Sequence, residues 1–118
     1  MRKFKLTEID RDSGCREIRV EGELDLAVAD RLQECVDRID SEHAAILINL
    51  EGCEFIDSTG IALIVAAHKE RMERGQRLVV CAPSDQVLRV FSITGLMDNG
   101  LVFENATEAL TTFKMVEQ

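Results

Sequence analysis

Tryptophan and tyrosine are absent from the chain, and proline occurs once, at Pro83. Without indole or phenol rings, the usual stacking platforms for nucleic-acid bases are missing. A single proline and seven glycines in 118 residues, with no block of low complexity, exclude a disordered or linker-like chain. Nowhere is there an apolar run of the ~18 residues that a membrane span needs. The start, Met1-Arg2-Lys3-Phe4-Lys5-Leu6, has basic residues but no apolar stretch behind them, so no secretory signal is expected. Basic charge is scarce as well: 14 Lys and Arg face 22 Asp and Glu, a net of −8 with both histidines neutral. That balance repels phosphate backbones and anionic lipid, so neither direct nucleic-acid binding nor membrane insertion is expected. Residues 1–60 hold 15 acids against 8 bases, and the remaining 58 hold 7 against 6, so the acidic field belongs to the N-terminal half. No Cys-x-x-Cys pair occurs among the cysteines at 15, 35, 53 and 81, which suits neither zinc nor thioredoxin-type chemistry. Buried free thiols in a reducing cytoplasm are the expectation.

What is present reads as one α/β domain over residues 1–118, a length that holds a single core without staples. Residues 3–10 and 15–21 read as two strands joined by a turn at Arg11-Asp12-Ser13-Gly14. Phe4, Leu6 and Ile9 are assigned to the apolar side of the first. In the second, Ile18 and Val20 alternate with Glu17, Arg19 and Glu21, the period of a half-buried strand. Gly22-Glu23-Leu24-Asp25 is taken as a short connection. Val28, Leu32, Cys35, Val36 and Ile39 then form one stripe of an amphipathic helix.

The run 44–50 is apolar on both faces, as a central strand would be, and a second such run lies at 78–82. Between them, Asp57 to Arg74 reads as a helix with a buried start and a charged end, stopped by Gly75. Pro83-Ser84-Asp85 opens a third helix, with Val87, Leu88 and Phe91 on one face and Gly95 at its close. A short strand at 101–103 precedes Asn105-Ala106-Thr107-Glu108, a variant capping box, and a last helix with Ala106, Ala109, Leu110 and Phe113 inward. The order is β-β-α-β-α-β-α-β-α. It implies a small mixed β-sheet, parallel through right-handed crossovers beside one antiparallel hairpin, with helices packed on it. No exposed apolar stripe is obvious, so a monomer when free is the default.

The segment most informative about function is Glu54-Phe55-Ile56-Asp57-Ser58-Thr59-Gly60-Ile61. It joins the C-terminal end of a buried strand to the start of a buried helix, where open α/β sheets place their sites. Asp57, Ser58 and Thr59 are all capable N-caps, and capping needs only one. A phosphate on Ser58 would sit in the favourable field of the helix start while Asp57 opposed it, reshaping the surface without melting the helix. The same residues also suit a plain cap, and spacing alone leaves both readings open.

Catalysis by Ser58 would need a base within hydrogen-bond reach. His68 stands ten residues along the same helix, about 15 Å away at 1.5 Å per residue. His43 precedes the strand whose far end leads to Ser58, roughly 20 Å away. Neither serves, and Lys69 fails as His68 does, so the chain is read as a non-enzyme. Glu21, Glu23 and Asp25 have alternate spacing, but no EF-hand pattern follows, and no metal or cofactor is expected. Gly52 and Gly60 are not followed by the Gly-Lys-Ser/Thr of a phosphate loop. His68, Lys69, Arg71 and Arg74, interleaved with Glu70 and Glu73, read as a salt-paired, solvent-facing helix end.

Leu50-Glu51-Gly52-Cys53-Glu54-Phe55-Ile56-Asp57-Ser58-Thr59-Gly60-Ile61 resembles the core motif of STAS domains, specifically the bacterial anti-sigma-factor antagonists. Gly22-Glu23-Leu24-Asp25, the run 77–81 and Val90-Phe91-Ser92-Ile93-Thr94-Gly95-Leu96 fall where that family has characteristic segments. The resemblance implies a phospho-regulated binding protein. Its unmodified form captures an anti-sigma factor with serine kinase activity and so frees a sigma factor. Phosphorylation releases the partner, and a serine phosphatase resets the switch. By position, the resemblance makes Ser58 the phosphoacceptor and places Asp25, Asp57, Ser58, Thr59 and Gly60 in the partner-binding surface. Many members carry a second glycine where Ala62 stands, and the alanine is expected to tighten helix packing. The alternative implied is a STAS interaction subunit of a lipid-transport or stress-signalling complex that is never phosphorylated.

Overall fold

The structure, a computed structural model, describes residues 3–11, 14–39, 45–93 and 100–116, with side chains to Phe113. Its elements run β1 (Lys5–Arg11), β2 (Cys15–Leu24), α1 (Ala29–Arg38), β3 (Ala45–Ile56), α2 (Ser58–Glu73), β4 (Arg77–Cys81), α3 (Asp85–Ile93), β5 (Val102–Phe103) and α4 (Ala106–Val116). The five strands lie in chain order, β1 antiparallel to β2 and every later pair parallel. This is the mixed sheet and the element order that the sequence implies. Asp12, Ser13, His43, Ala44 and the Gly95 helix stop fall outside the described residues.

Two layers of helix cover the sheet. On one face Leu32, Cys35 and Val36 of α1, Ile61 and Ile64 of α2, and Val87 and Phe91 of α3 meet Ile18, Val20, Ile46, Ile48 and Leu78. On the other, Ala109 and Phe113 of α4 meet Cys15, Leu47, Val79 and Cys81. Every residue from Ala45 to Leu50 is buried because helices lie on both sides of β3. Each large apolar side chain so buried contributes about 1.5–3 kcal/mol. All four cysteines are buried and free. Burial, followed by the charge of Glu17, pushes the thiols of Cys15 and Cys81 up to about 11 and about 12. Among the described residues no helix is long and apolar enough to cross a membrane.

Three local expectations are corrected. Gly22–Leu24 is not a connection but the end of β2, and β3 continues past Leu50 to Ile56. The two strands stay paired, Gly22 with Cys53, Glu23 with Phe55 and Leu24 with Ile56, across register shifts at Arg19/Glu21 and Gly22/Glu23. Such bulges break the two-residue alternation that marks a strand in sequence, and Gly22 adopts φ 90° there. Ile9 is on the opposite face from Leu6, since Leu6 pairs with Val20 and Ile9 with Glu17. Ala62 is exposed on α2, so it favours the helix by propensity and not by packing.

The C-terminal half of α2 also differs from a solvated helix end. Lys69 and Arg74 are exposed, and Arg74 pairs with Glu70 at 2.8 Å. His68 and Arg71 are buried. Arg71 Nη2 donates to Val36 O at 2.9 Å and Ile39 O at 3.0 Å, and Nη1 donates to Gln76 Oε1 at 3.2 Å. Those carbonyls lie at the end of α1, where a cation is favoured, and Val36 O also accepts the Ile39 N–H at 3.1 Å. Gly75, at φ 75°, turns the chain into β4 as expected.

Candidate functional site

Asp57 is the N-cap of α2, in an extended conformation that aims its carboxylate back over the helix start. Thr59 N–H and Gly60 N–H donate to Oδ1 at 3.0 and 3.1 Å. The other oxygen, Oδ2, accepts the Leu26 N–H at 3.1 Å from the loop between β2 and α1. The Asp57 N–H itself donates to Leu24 O at 3.2 Å. One side chain thus caps α2 and fastens a loop 31 residues earlier in the chain. Of the three capping candidates in the sequence, Asp57 does the capping.

Ser58 opens α2 and is exposed. Among the described residues no hydrogen bond holds its hydroxyl. Thr59 is half-buried behind it. Gly60 is buried, and a Cβ there would meet Ile56 Cγ1 at 2.8 Å and both Leu24 Cγ and Leu24 O at 3.0 Å. Its place in the site is therefore structural: absence of a side chain lets α2 settle on the ends of β2 and β3. The resemblance places Gly60 in the partner-binding surface, and here the residue is buried at the helix start.

Asp25 is half-buried at the end of β2. Its Oδ1 accepts Ala27 N–H at 3.0 Å, and its carbonyl accepts Val28 and Ala29 N–H at 3.1 and 2.9 Å. The residue shapes the turn into α1 and brings its loop beside Ser58. Leu26, next in the chain, is 73% exposed. Sequence reasoning passed over Leu26 because it falls outside the apolar stripe of α1.

The possible bases stand apart. His68 Nδ1 lies 2.7 Å from Leu78 O, so it carries the proton and donates, deep in the protein and ten residues along α2 from Ser58. Glu21 and Glu23 lie along β2 while Asp25 begins the turn. Among the described residues no three His, Cys, Asp or Glu gather to hold a metal.

A second polar cluster, without a local sign in the sequence, lies on the sheet face that α4 shares. Glu17 is fully buried there. Arg11 Nε and Arg19 Nε each donate to its carboxylate at 2.7 Å, and Asn49 Nδ2 donates at 3.3 Å. Burial pushes this carboxyl up, but the hydrogen bonds from Arg19, Arg11 and Asn49 and the charge of Arg11 outweigh it and hold the group below its ordinary value. A groove of about 500 Å³, lined by Arg19, Glu21, Asn49 and Glu51 among others, opens beside the cluster.

Comparison with known proteins gives this arrangement its context. Residues 7–109 match the family model described as the STAS domain. An anti-sigma F factor antagonist of Paenibacillus polymyxa is 28% identical over 113 residues, covering 92% of this chain and 95% of its own. An anti-sigma-B factor antagonist of Listeria monocytogenes is 34% identical over 90 residues, covering 75% of this chain and 79% of its own. The crystal structure of an anti-sigma factor antagonist from Mycobacterium paratuberculosis shares the fold, with TM-score 0.82 at 24% identity and 93% of each chain covered.

Proposed function

The chain belongs to the STAS domain family, and from that premise we propose that it is an anti-sigma factor antagonist switched by phosphorylation of Ser58. The unmodified chain binds an anti-sigma factor and frees a sigma factor. The anti-sigma factor carries serine kinase activity. Its ATP γ-phosphorus is attacked by Ser58 Oγ, ADP leaves, and the hydroxyl proton passes to a base of the kinase. Phosphoserine lets the partner go, and a serine phosphatase hydrolyses the ester to restore the hydroxyl. The four unbridged thiols suit a reducing cytoplasm, where sigma factors act.

The observation that carries this reading is an exposed hydroxyl on an already capped helix start. Because Asp57 satisfies the amides of Thr59 and Gly60, Ser58 is not needed as a cap. With His68 committed to Leu78 O, the described chain offers Ser58 no histidine to make it a nucleophile in its own right. An exposed, unbonded hydroxyl of this kind suits a substrate serine. Phosphorylation adds about −1.5 to −2 charges beside the Asp57 carboxylate. An interface that covers Ser58 would then have to bury this charge, at a cost of roughly several kcal/mol, unless it supplied arginines. Asp25, Thr59 and Asp57 complete the surface, and Gly60 sets its shape from beneath.

The test is the intact mass of the chain purified from its native host, with Ser58→Ala alongside, together with the proteins that co-purify. One added phosphate on wild type alone, and an anti-sigma factor retained by Ser58→Ala despite ATP, is the expected result. A wild type left unmodified by host lysate and ATP overturns the switch and leaves a constitutive interaction subunit.

A further inference from the structure

Among the described residues Leu26 is the most exposed leucine, at 73%, whereas Leu24 two residues earlier is fully buried. Its exposure is not that of a loose loop. The Leu26 N–H is held by Asp57 Oδ2, the Ala27 N–H by Asp25 Oδ1, and the Val28 and Ala29 N–H groups by Asp25 O. With the backbone already held, covering this side chain requires no further ordering of the loop. The surroundings define the partner. Asp25 precedes Leu26 in the loop, the N-cap Asp57 accepts its amide, and Asp30 lies in the first turn of α1. The basic residue next along α1, Arg31, has its guanidinium 4.9 Å over the ring of Phe4.

We infer that Leu26 is an apolar anchor for the anti-sigma factor, seated in an apolar pocket with a basic rim and kept in register with Ser58 by the Asp57 carboxylate. This rests on the proposed function and adds to it a second contact, of a chemistry different from that of the phosphoacceptor. The surface is continuous with Ser58 through a single 3.1 Å hydrogen bond. The acids bring the partner on and fix its orientation, and Leu26 slows its departure.

The test uses the anti-sigma factor that co-purifies with wild type, itself purified, and measures on-rates, off-rates and melting temperature for wild type, Leu26→Ala and Leu26→Met at low and high salt. Leu26→Ala is expected to raise Kd roughly tenfold to a hundredfold, mostly through the off-rate, with an unchanged melting temperature. Leu26→Met should stay within about threefold of wild type, because it keeps apolar bulk. Salt should slow association of all three alike. If Leu26→Ala binds within about twofold of wild type, the anchor is refuted while the antagonist reading stands. On-rates indifferent to salt refute the basic rim. A wild type that retains no anti-sigma factor overturns the functional reading and the anchor with it.

Discussion

The two ends of α2 solve the same problem in opposite ways. Every helix leaves unpaired amides at its start and unpaired carbonyls at its end. At the start of α2, Asp57 of the preceding residue takes up the amides of Thr59 and Gly60, and the neighbouring hydroxyl is left in solvent. Near the other end, Arg71 turns inward and serves the carbonyls of a different helix, α1, and is almost wholly buried in doing so. The first end economises on polar groups and so has one to spare. The second commits its charge to joining two helices. A residue can be offered to a partner only where the fold does not need it, and Ser58 meets that condition while Arg71 does not.

Stability measurements on single variants can sharpen or break this contrast. The largest loss is expected for Arg71→Ala, about 3 kcal/mol by urea unfolding, because Ile39 O loses the Arg71 donor inside the protein and Val36 O is left with the Ile39 N–H alone. Arg71→Lys should recover only part of it, since an ammonium cannot span both carbonyls and Gln76 in one plane. Gly60→Ala comes next, at about 2 kcal/mol, the clash with Ile56 and Leu24 exceeding the gain in helix propensity. Asp57→Ala should cost about 1–2 kcal/mol for the lost cap, and amide hydrogen exchange at Leu26 should quicken in the same variant. Smallest is Ser58→Ala, below about 0.5 kcal/mol, even though it removes the proposed phosphoacceptor altogether. A costly Ser58→Ala or a harmless Arg71→Ala would reverse the comparison.

Local rules made much of this legible in the sequence. Asp57 and Gly75 bound α2 as their types suggest. Asn105 Oδ1 accepts the Glu108 N–H at 2.9 Å, as the capping pattern before α4 requires. Apolar periodicity located α1, and the two doubly apolar runs located β3 and β4. What stayed hidden depends on distant partners. Glu17 looks like an outward-facing strand residue until Arg11, Arg19 and Asn49 close over it, and Asn49 is 32 residues away. Arg71 reads as a surface charge because the carbonyls it serves lie 32 and 35 residues earlier. Around Ser58, the hydroxyl and its capping acid are visible in the motif. The Leu26 contact is not, since nothing in the sequence says that residue 26 will meet residue 57.

The paired bulges of β2 and β3 make the spacing of the motif a matter of arithmetic. From Arg19 to Leu24, β2 takes five steps, while its partner goes from Asn49 to Ile56 in seven. Two surplus residues preserve the parity of the strand, so Ile56 stays inward beside Leu24 and the chain reaches Asp57 at the height of the Leu26 amide. One surplus residue would invert every side chain that follows. The stretch 50–55 is consequently a measured spacer, pinned to the core at Leu50 and Cys53 and intolerant of any odd change in length. In descendants of this chain, insertions and deletions there should survive in pairs.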